Sequence, residues 1–230
     1  MRSDTVRSGR AARAAGLLAA SACACACACA VPLEAGSADG QWHLVADGMT
    51  ITLLDATRRA VKVHAGAALD GSHRSAVAAI FDAGPRRSFV LAFVSLPELW
   101  EISYDPQAEP IYPGLVHDYR QREGTAEPGF LNPRRTLLDV PLRALTFDSS
   151  HAFVLGRAPD HPDGRAVLHL VQLDVRKRIA EFVQTGRPDT SKARRVQREG
   201  RELIEVPDEG GAVAAMIDPR AARLAAPSTH

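Results

Sequence analysis

Apolar residues alternate with polar ones in short runs along this chain, and one arrangement of them recurs four times. An alternating stretch ends in an Asp, a short polar turn follows, and a second apolar stretch leaves the turn. The copies are ITLLDATRRAVKV (51–63), LWEISYDPQAEPIY (99–112), LHLVQLDVRKRIAEFV (168–183) and VAAMIDPRAARLA (213–225). Another short apolar run precedes each: WHLVAD (42–47), SFVLAF (88–93), AFVLGR (152–157) and ELIEVP (202–207). A period of two predicts strands rather than helices. Asp47-Gly48 between the first two runs predicts a tight hairpin turn. The repeat aspartates Asp55, Asp105, Asp174 and Asp218 are 50, 69 and 44 residues apart, and are read as turn caps. Self-similarity at this spacing, built from strands, predicts an all-β, β-propeller-like chain of about four blades of antiparallel meanders, a partial propeller. Four such units either close as a small ring or pair their open ends with a second chain, since an open stack leaves sheet faces in water.

The organisation follows from where this pattern starts and stops. Residues 31–40 read as a flexible lead-in and 41–226 as the partial propeller. Residues 106–135, rich in Pro, Gly and charge, form a loop long enough to carry function. Residues 185–200 read as a polar, basic connection.

Residues 1–30 stand apart. Arg2, Arg7, Arg10 and Arg13 precede an apolar run, AAGLLAASA (14–22), and small residues lead to Ala28-Cys29-Ala30. This is the three-part layout of a secretory signal, too short in its apolar part to span a membrane. Ala20-Ser21-Ala22-Cys23 also resembles a lipobox. The expectation is an exported protein, periplasmic or anchored to the outer membrane through a lipid on Cys23. All four cysteines lie in this strip at C-x-C spacing, which gives no closed tetrahedral metal cage. The formal net charge is +1, from 28 basic and 27 acidic residues, which argues against general nucleic-acid binding. Aromatics make up only 5% of the chain, low for a propeller.

A family comes into view in the middle. AVAAIFDAGPRRSFVLAFVSLPELWEISYDP (76–106), GLVHDYR (114–120), PRRTLLDVPLRALTFDSSHAFVLGR (133–157) and LDVRKRIAEF (173–182) resemble, in order and spacing, the cytochrome d1 domain family. That family holds the haem domain of cytochrome cd1 nitrite reductase and periplasmic proteins of d1-haem biosynthesis, and the biosynthetic members are the closer likeness. The resemblance implies a tetrapyrrole, d1-type haem or a relative, as ligand. It also implies membership of a periplasmic respiratory or haem-maturation system. The family ring has eight blades and is nearly twice this long, so the chain resembles a truncated relative. The C-x-x-C-H of a c-type haem is absent.

By its place in the matching stretch, His117 resembles a pocket histidine able to ligate iron, with Asp118 and Tyr119 beside it to orient a ring or substrate group. His73, in DGSHRS, sits at a blade entrance; its structural reading is an ordinary turn. Arg86-Arg87 and Arg134-Arg135 flank the resembling segments and offer forks for tetrapyrrole carboxylates. Neighbours on a strand point to opposite faces, so one of each pair can reach a shared pocket, and Arg87 and Arg134 are taken as those. Trp100 and Tyr104 share a face and are read as core, and His43 and His169 as structural. The functional reading is an exported, non-catalytic tetrapyrrole-binding or handling protein. The alternatives are a propeller scaffold that binds another protein without cofactor, and a decayed fragment of a longer family member.

Overall fold

The computed structural model describes residues 32–112 and 126–225. Among the described residues, sixteen strands form four separate four-stranded sheets, each an antiparallel meander in chain order. The first holds β1 (Leu33–Gly36), β2 (Trp42–Asp47), β3 (Thr50–Asp55) and β4 (Ala60–Ala65). The second holds β5 (Val77–Ala83), β6 (Ser88–Phe93), β7 (Glu98–Ser103) and β8 (Pro133–Leu137). The third holds β9 (Arg143–Phe147), β10 (Phe153–Arg157), β11 (Ala166–Gln172) and β12 (Lys177–Gln184). The fourth holds β13 (Arg194–Arg198), β14 (Arg201–Pro207), β15 (Val213–Asp218) and β16 (Arg223–Leu224). Among the described residues there is no α-helix, only short 3-10 turns such as Gly84–Arg86 and Thr190–Lys192.

The repeated runs are the central strands. β2 and β3 pair Asp47 with Thr50 across the expected two-residue turn, where Gly48 takes a φ of 56° that a larger side chain would resist. Asp55 accepts from the amides of Thr57 and Arg59, Asp105 from that of Gln107 and Asp218 from that of Ala221, so three repeat aspartates cap their turns. Asp174 differs: its carboxylate takes Arg86 of the second sheet at 2.8 Å.

Three strands lie in segments read as irregular. Leu33–Gly36 is a strand within the expected lead-in, pairing Leu33 with Ala46 and Gly36 with His43. Pro133–Leu137 closes the second sheet from inside the expected loop, with Pro at the strand's first position, where a missing N–H is tolerated. Arg194–Arg198 opens the fourth sheet from the expected polar connection. Each is the first or last strand of its sheet and carries little apolar alternation of its own.

Packing follows the pleat. Leu44, Ile51 and Leu53 of the first sheet meet Phe89, Leu91, Phe93, Trp100 and Ile102 of the second. Val90, Ala92 and Leu99, on the second sheet's other face, meet Leu145, Val154 and Val171 of the third. Leu155, Leu168 and Leu170 then meet Ile204, Val206 and Ile217 of the fourth. Three cores thus join three successive pairs, and among the described residues none joins the fourth sheet to the first. Ring closure by these four sheets is not what the chain adopts. The end faces show why. On the first sheet's outer face Val63, paired with Thr52, is 58% exposed. The fourth sheet's outer face is charged: Arg194 and Arg198 reach Glu205, and Arg201 reaches Asp218.

Three histidines are drawn into this packing: His64, whose Nε2 lies 2.8 Å from the Leu131 carbonyl, His151 and His169. Burial pushes all three below the ordinary value of 6.5. The unfolded chain therefore takes up protons first as pH falls. Folding stability is expected to be full above pH 6.5 and to decline as pH drops through 6.5 toward the lowered folded values. Urea unfolding midpoints followed across that range check this; a midpoint that rises on acidification contradicts it.

Candidate functional site

The connection from β7 to β8 builds the site. Its described ends are held together where Ile111 pairs with Glu127, and Phe130 bridges to Ser103. Phe130 also packs edge-on against Trp42 of the first sheet, with ring centres 5.5 Å apart. Gly129 is required by close approach: a Cβ there would stand 2.0 Å from the Glu109 carbonyl oxygen.

Where this connection meets the β5–β6, β9–β10 and β11–β12 turns, a cleft of about 850 Å³ opens between the second and third sheets. On its floor Arg86 grips Glu101 through Nε at 2.7 Å and Nη2 at 3.2 Å, and gives Nη1 to Asp174 at 2.8 Å. Ser88 Oγ donates to the same Glu101 carboxylate at 3.0 Å. Burial opposes the charge on Arg86, yet its paired carboxylates outweigh that and hold its pKa above the ordinary value. Arg134 donates Nη2 to the Asp174 carbonyl at 2.8 Å, lies 4.0 Å from Glu101, and lines the cleft. Arg176 is exposed at the rim and, among the described residues, has no hydrogen-bond or ion-pair partner.

A second cavity of about 500 Å³ adjoins the first, sharing Ile111, Tyr112 and Arg176. Its walls are mostly apolar: Leu69, Tyr112, Leu137 and Val175 line it and are each about half exposed. Arg135 stands at its edge but is committed. Its guanidinium lies 4.1 Å over the Trp100 ring and bonds Glu98 at 2.9 Å and the Ala67 carbonyl at 2.7 Å.

The expected site residues separate on this geometry. Arg134 lines the cleft. Arg87 does not: the β5–β6 turn puts it at φ 48°, and its Nε lies 3.9 Å from Asp105, while Arg86 takes the cleft side. His73 lies on an exposed turn, its Nδ1 2.7 Å from Ser72 Oγ, and lines neither cavity. His117, Asp118 and Tyr119 lie outside the described residues, as does Cys23; Tyr112 and Glu127, on either side of residues 113–125, line the second cavity. Trp100 and Tyr104 are core, 1% and 2% exposed. Among the described residues no group of three His, Cys, Asp or Glu could hold a metal ion.

No family model matches the chain. A curated relative does: dihydro-heme d1 dehydrogenase of Pseudomonas aeruginosa, 26% identical over 186 residues, 80% of this chain and 33% of the relative. The solved structure of dihydro-heme d1 dehydrogenase NirN in complex with DHE superposes over 84% of this chain and 36% of that one, with a TM-score of 0.63 and 26% identity. The chain is similar to dihydro-heme d1 dehydrogenase. It spans about a third of that protein's length. The β-propeller domain of Myceliophteria thermophila Cps50 (Swd1) also matches, at 11% identity and a TM-score of 0.47, over 84% of this chain and 52% of that one. The likeness to dihydro-heme d1 dehydrogenase bears out both the d1-family resemblance of the central segments and the propeller-like arrangement of the sheets.

The floor of the cleft gives a direct test of its construction. Arg86→Met takes from Glu101, only 8% exposed, its bonded guanidinium, leaving the Ser88 hydroxyl and Arg134 at 4.0 Å, and is expected to cost about 3 kcal/mol of stability. Adding Glu101→Met removes the stranded charge and should recover most of that loss. Denaturant titration of the single and double variants reads this; equal losses in both would show that the pair is not what holds the floor.

Proposed function

We propose that this chain is an exported, non-catalytic protein that binds d1-type haem or a related tetrapyrrole in the two-chambered cleft. The observation that carries the reading is the likeness, over 84% of the chain, to NirN in complex with DHE. The cleft's chemistry supports it. A tetrapyrrole presents carboxylates on a flat apolar body. Arg134 and Arg176 offer guanidinium donors for the carboxylates, beside a chamber walled by Leu69, Leu137 and Val175 for the body. His117 is assigned as the iron ligand by its place in GLVHDYR, with Asp118 and Tyr119 orienting it or the ligand. His73 and Arg87 are the weaker members of the set, since neither lines the cleft.

The exposed apolar wall also favours a second reading, a scaffold that docks another protein there. Titration of the chain lacking residues 1–30 with an iron tetrapyrrole separates the two. Binding is expected to shift the Soret band, and His117→Ala to abolish the ligated spectrum while some binding survives. Arg134→Ala should weaken binding about tenfold or more, the value of one charge-assisted hydrogen bond. Absence of saturable binding leaves the scaffold reading.

Export is proposed on the Arg-rich start, the apolar run 14–22 and the small residues to Ala30. Cell fractionation should find a shortened chain outside the cytoplasm, with globomycin-sensitive processing if Cys23 carries lipid. A full-length cytosolic chain refutes it.

A further inference from the structure

A third cavity, of about 510 Å³, lies along the first strands of the second, third and fourth sheets and shares no lining residue with the cleft. Ser150 and Ala152 line the cleft, whereas His151 between them lines this cavity, so the β9–β10 turn divides the two. Its wall is a row of rings: Phe81 to Phe147 at 5.4 Å, then Phe147 to His151 at 5.2 Å. Asp148 fixes that turn by bonding Ser150 and accepting from the Phe153 amide at 2.9 Å, which sets where the His151 ring lies.

Two polar groups here have no work in the fold. His151 Nδ1 is buried with no hydrogen-bond partner among the described residues. A buried N–H without an acceptor costs more than a buried lone pair, so Nδ1 holds the lone pair and the proton sits on Nε2. Burial, with the nearby charge of Arg195, holds the ring pKa below its ordinary value and keeps it neutral. Arg195 pairs with Ile204, a residue of the core shared with the third sheet, so it projects toward that sheet. Among the described residues it has neither a hydrogen bond nor an ion pair. Of the other charged groups of the cavity, Arg194 bonds Glu205 at 2.7 Å, and Asp82, which keeps its negative charge, accepts from the Tyr104 hydroxyl at 2.9 Å.

We propose that this cavity binds a small aromatic carboxylate, its carboxylate on the Arg195 guanidinium and the His151 Nε2–H, its ring against Phe81 and Phe147. The cation and the N–H supply charge-assisted bonds, and the phenyl rings select for a flat apolar body. The site stands whether or not the cleft takes a tetrapyrrole.

Benzoate is the probe, read by the imidazole resonances of histidine-labelled protein. Saturable movement of the His151 signals is expected, with benzoate binding at least about tenfold more tightly than acetate, which has the charge without the ring. Arg195→Gln should weaken benzoate about tenfold or more; Arg195 is exposed, so the fold should tolerate it. Lys62→Gln removes one exposed positive charge on the first sheet and should leave affinity unchanged. Equal binding of acetate and benzoate, no effect of Arg195→Gln, or an equal effect of Lys62→Gln would each overturn the proposal.

Discussion

Strand β6 must be buried on both faces, and the arrangement of the other sheets depends on that. All six of its residues, Ser88 to Phe93, are buried. Phe89, Leu91 and Phe93 point into the core shared with the first sheet, and Val90 and Ala92 into the core shared with the third. A strand of this composition cannot sit on a one-sided sheet, because either face left in water would forfeit about 25 cal/mol for each Å² of apolar surface. β11 repeats the condition one sheet further on, with Leu168 and Leu170 facing the fourth sheet and Val167 and Val171 the second. The stack is thus propagated by its central strands, each joining two cores, as in other chains built of repeated units.

Charge is placed where that logic leaves room for it. Between the second and third sheets the apolar core gives way, toward the β5–β6 and β11–β12 turns, to Arg86 bridging Glu101 and Asp174. The buried Arg86–Glu101 pair lies within the second sheet and contributes little net stability, since desolvation offsets attraction, but breaking it is costly; the reach to the half-exposed Asp174 adds a weaker link to the third sheet. The bridge also settles the neighbouring cation. With Glu101 and the Asp174 side chain occupied by Arg86, Arg134 is left with the Asp174 carbonyl and a place in the cleft wall. A group free to bind a ligand is here the consequence of a neighbour that is not.

The central strands were legible because their burial imposes alternation that survives in the residues. β1, β8 and β13 were not, because LEAG, PRRTL and RRVQR owe their strand form to the partner they pair with. The aspartates were readable as turn caps at Asp55, Asp105 and Asp218, where the carboxylate acts on its own turn. Asp174 was not, because its partner lies 88 residues away in sequence. The two arginine pairs show the same limit. Strand alternation sends Arg134 and Arg135 to different chambers, but Arg86 and Arg87 sit in a turn, where a left-handed φ at Arg87 replaces the two-residue period. His151 gave no signal at all: a histidine after Ser-Ser reads as turn chemistry, and its buried nitrogen follows from the ring wall that Phe81 brings from another sheet.

The repeats and the binding chemistry are therefore carried by different parts of the chain. Four similar sheets supply interfaces that vary little in kind, and a site needs something that breaks the repeat. The β7–β8 connection does so. It is far longer than the two-to-five-residue turns usual between paired strands, and it is tied to more than one sheet. His64 of the first sheet bonds the Leu131 carbonyl at 2.8 Å, Trp42 packs on Phe130, and Leu131 is itself part of the core between the first and second sheets. Anchored there, the connection brings Ile111 and Tyr112 to the partition between the polar and apolar chambers, facing Arg176 from the third sheet. A ligand seated across that partition would touch two sheets and the connection anchored on a third. Its affinity would then depend on the same sheet-to-sheet packing that β6 enforces.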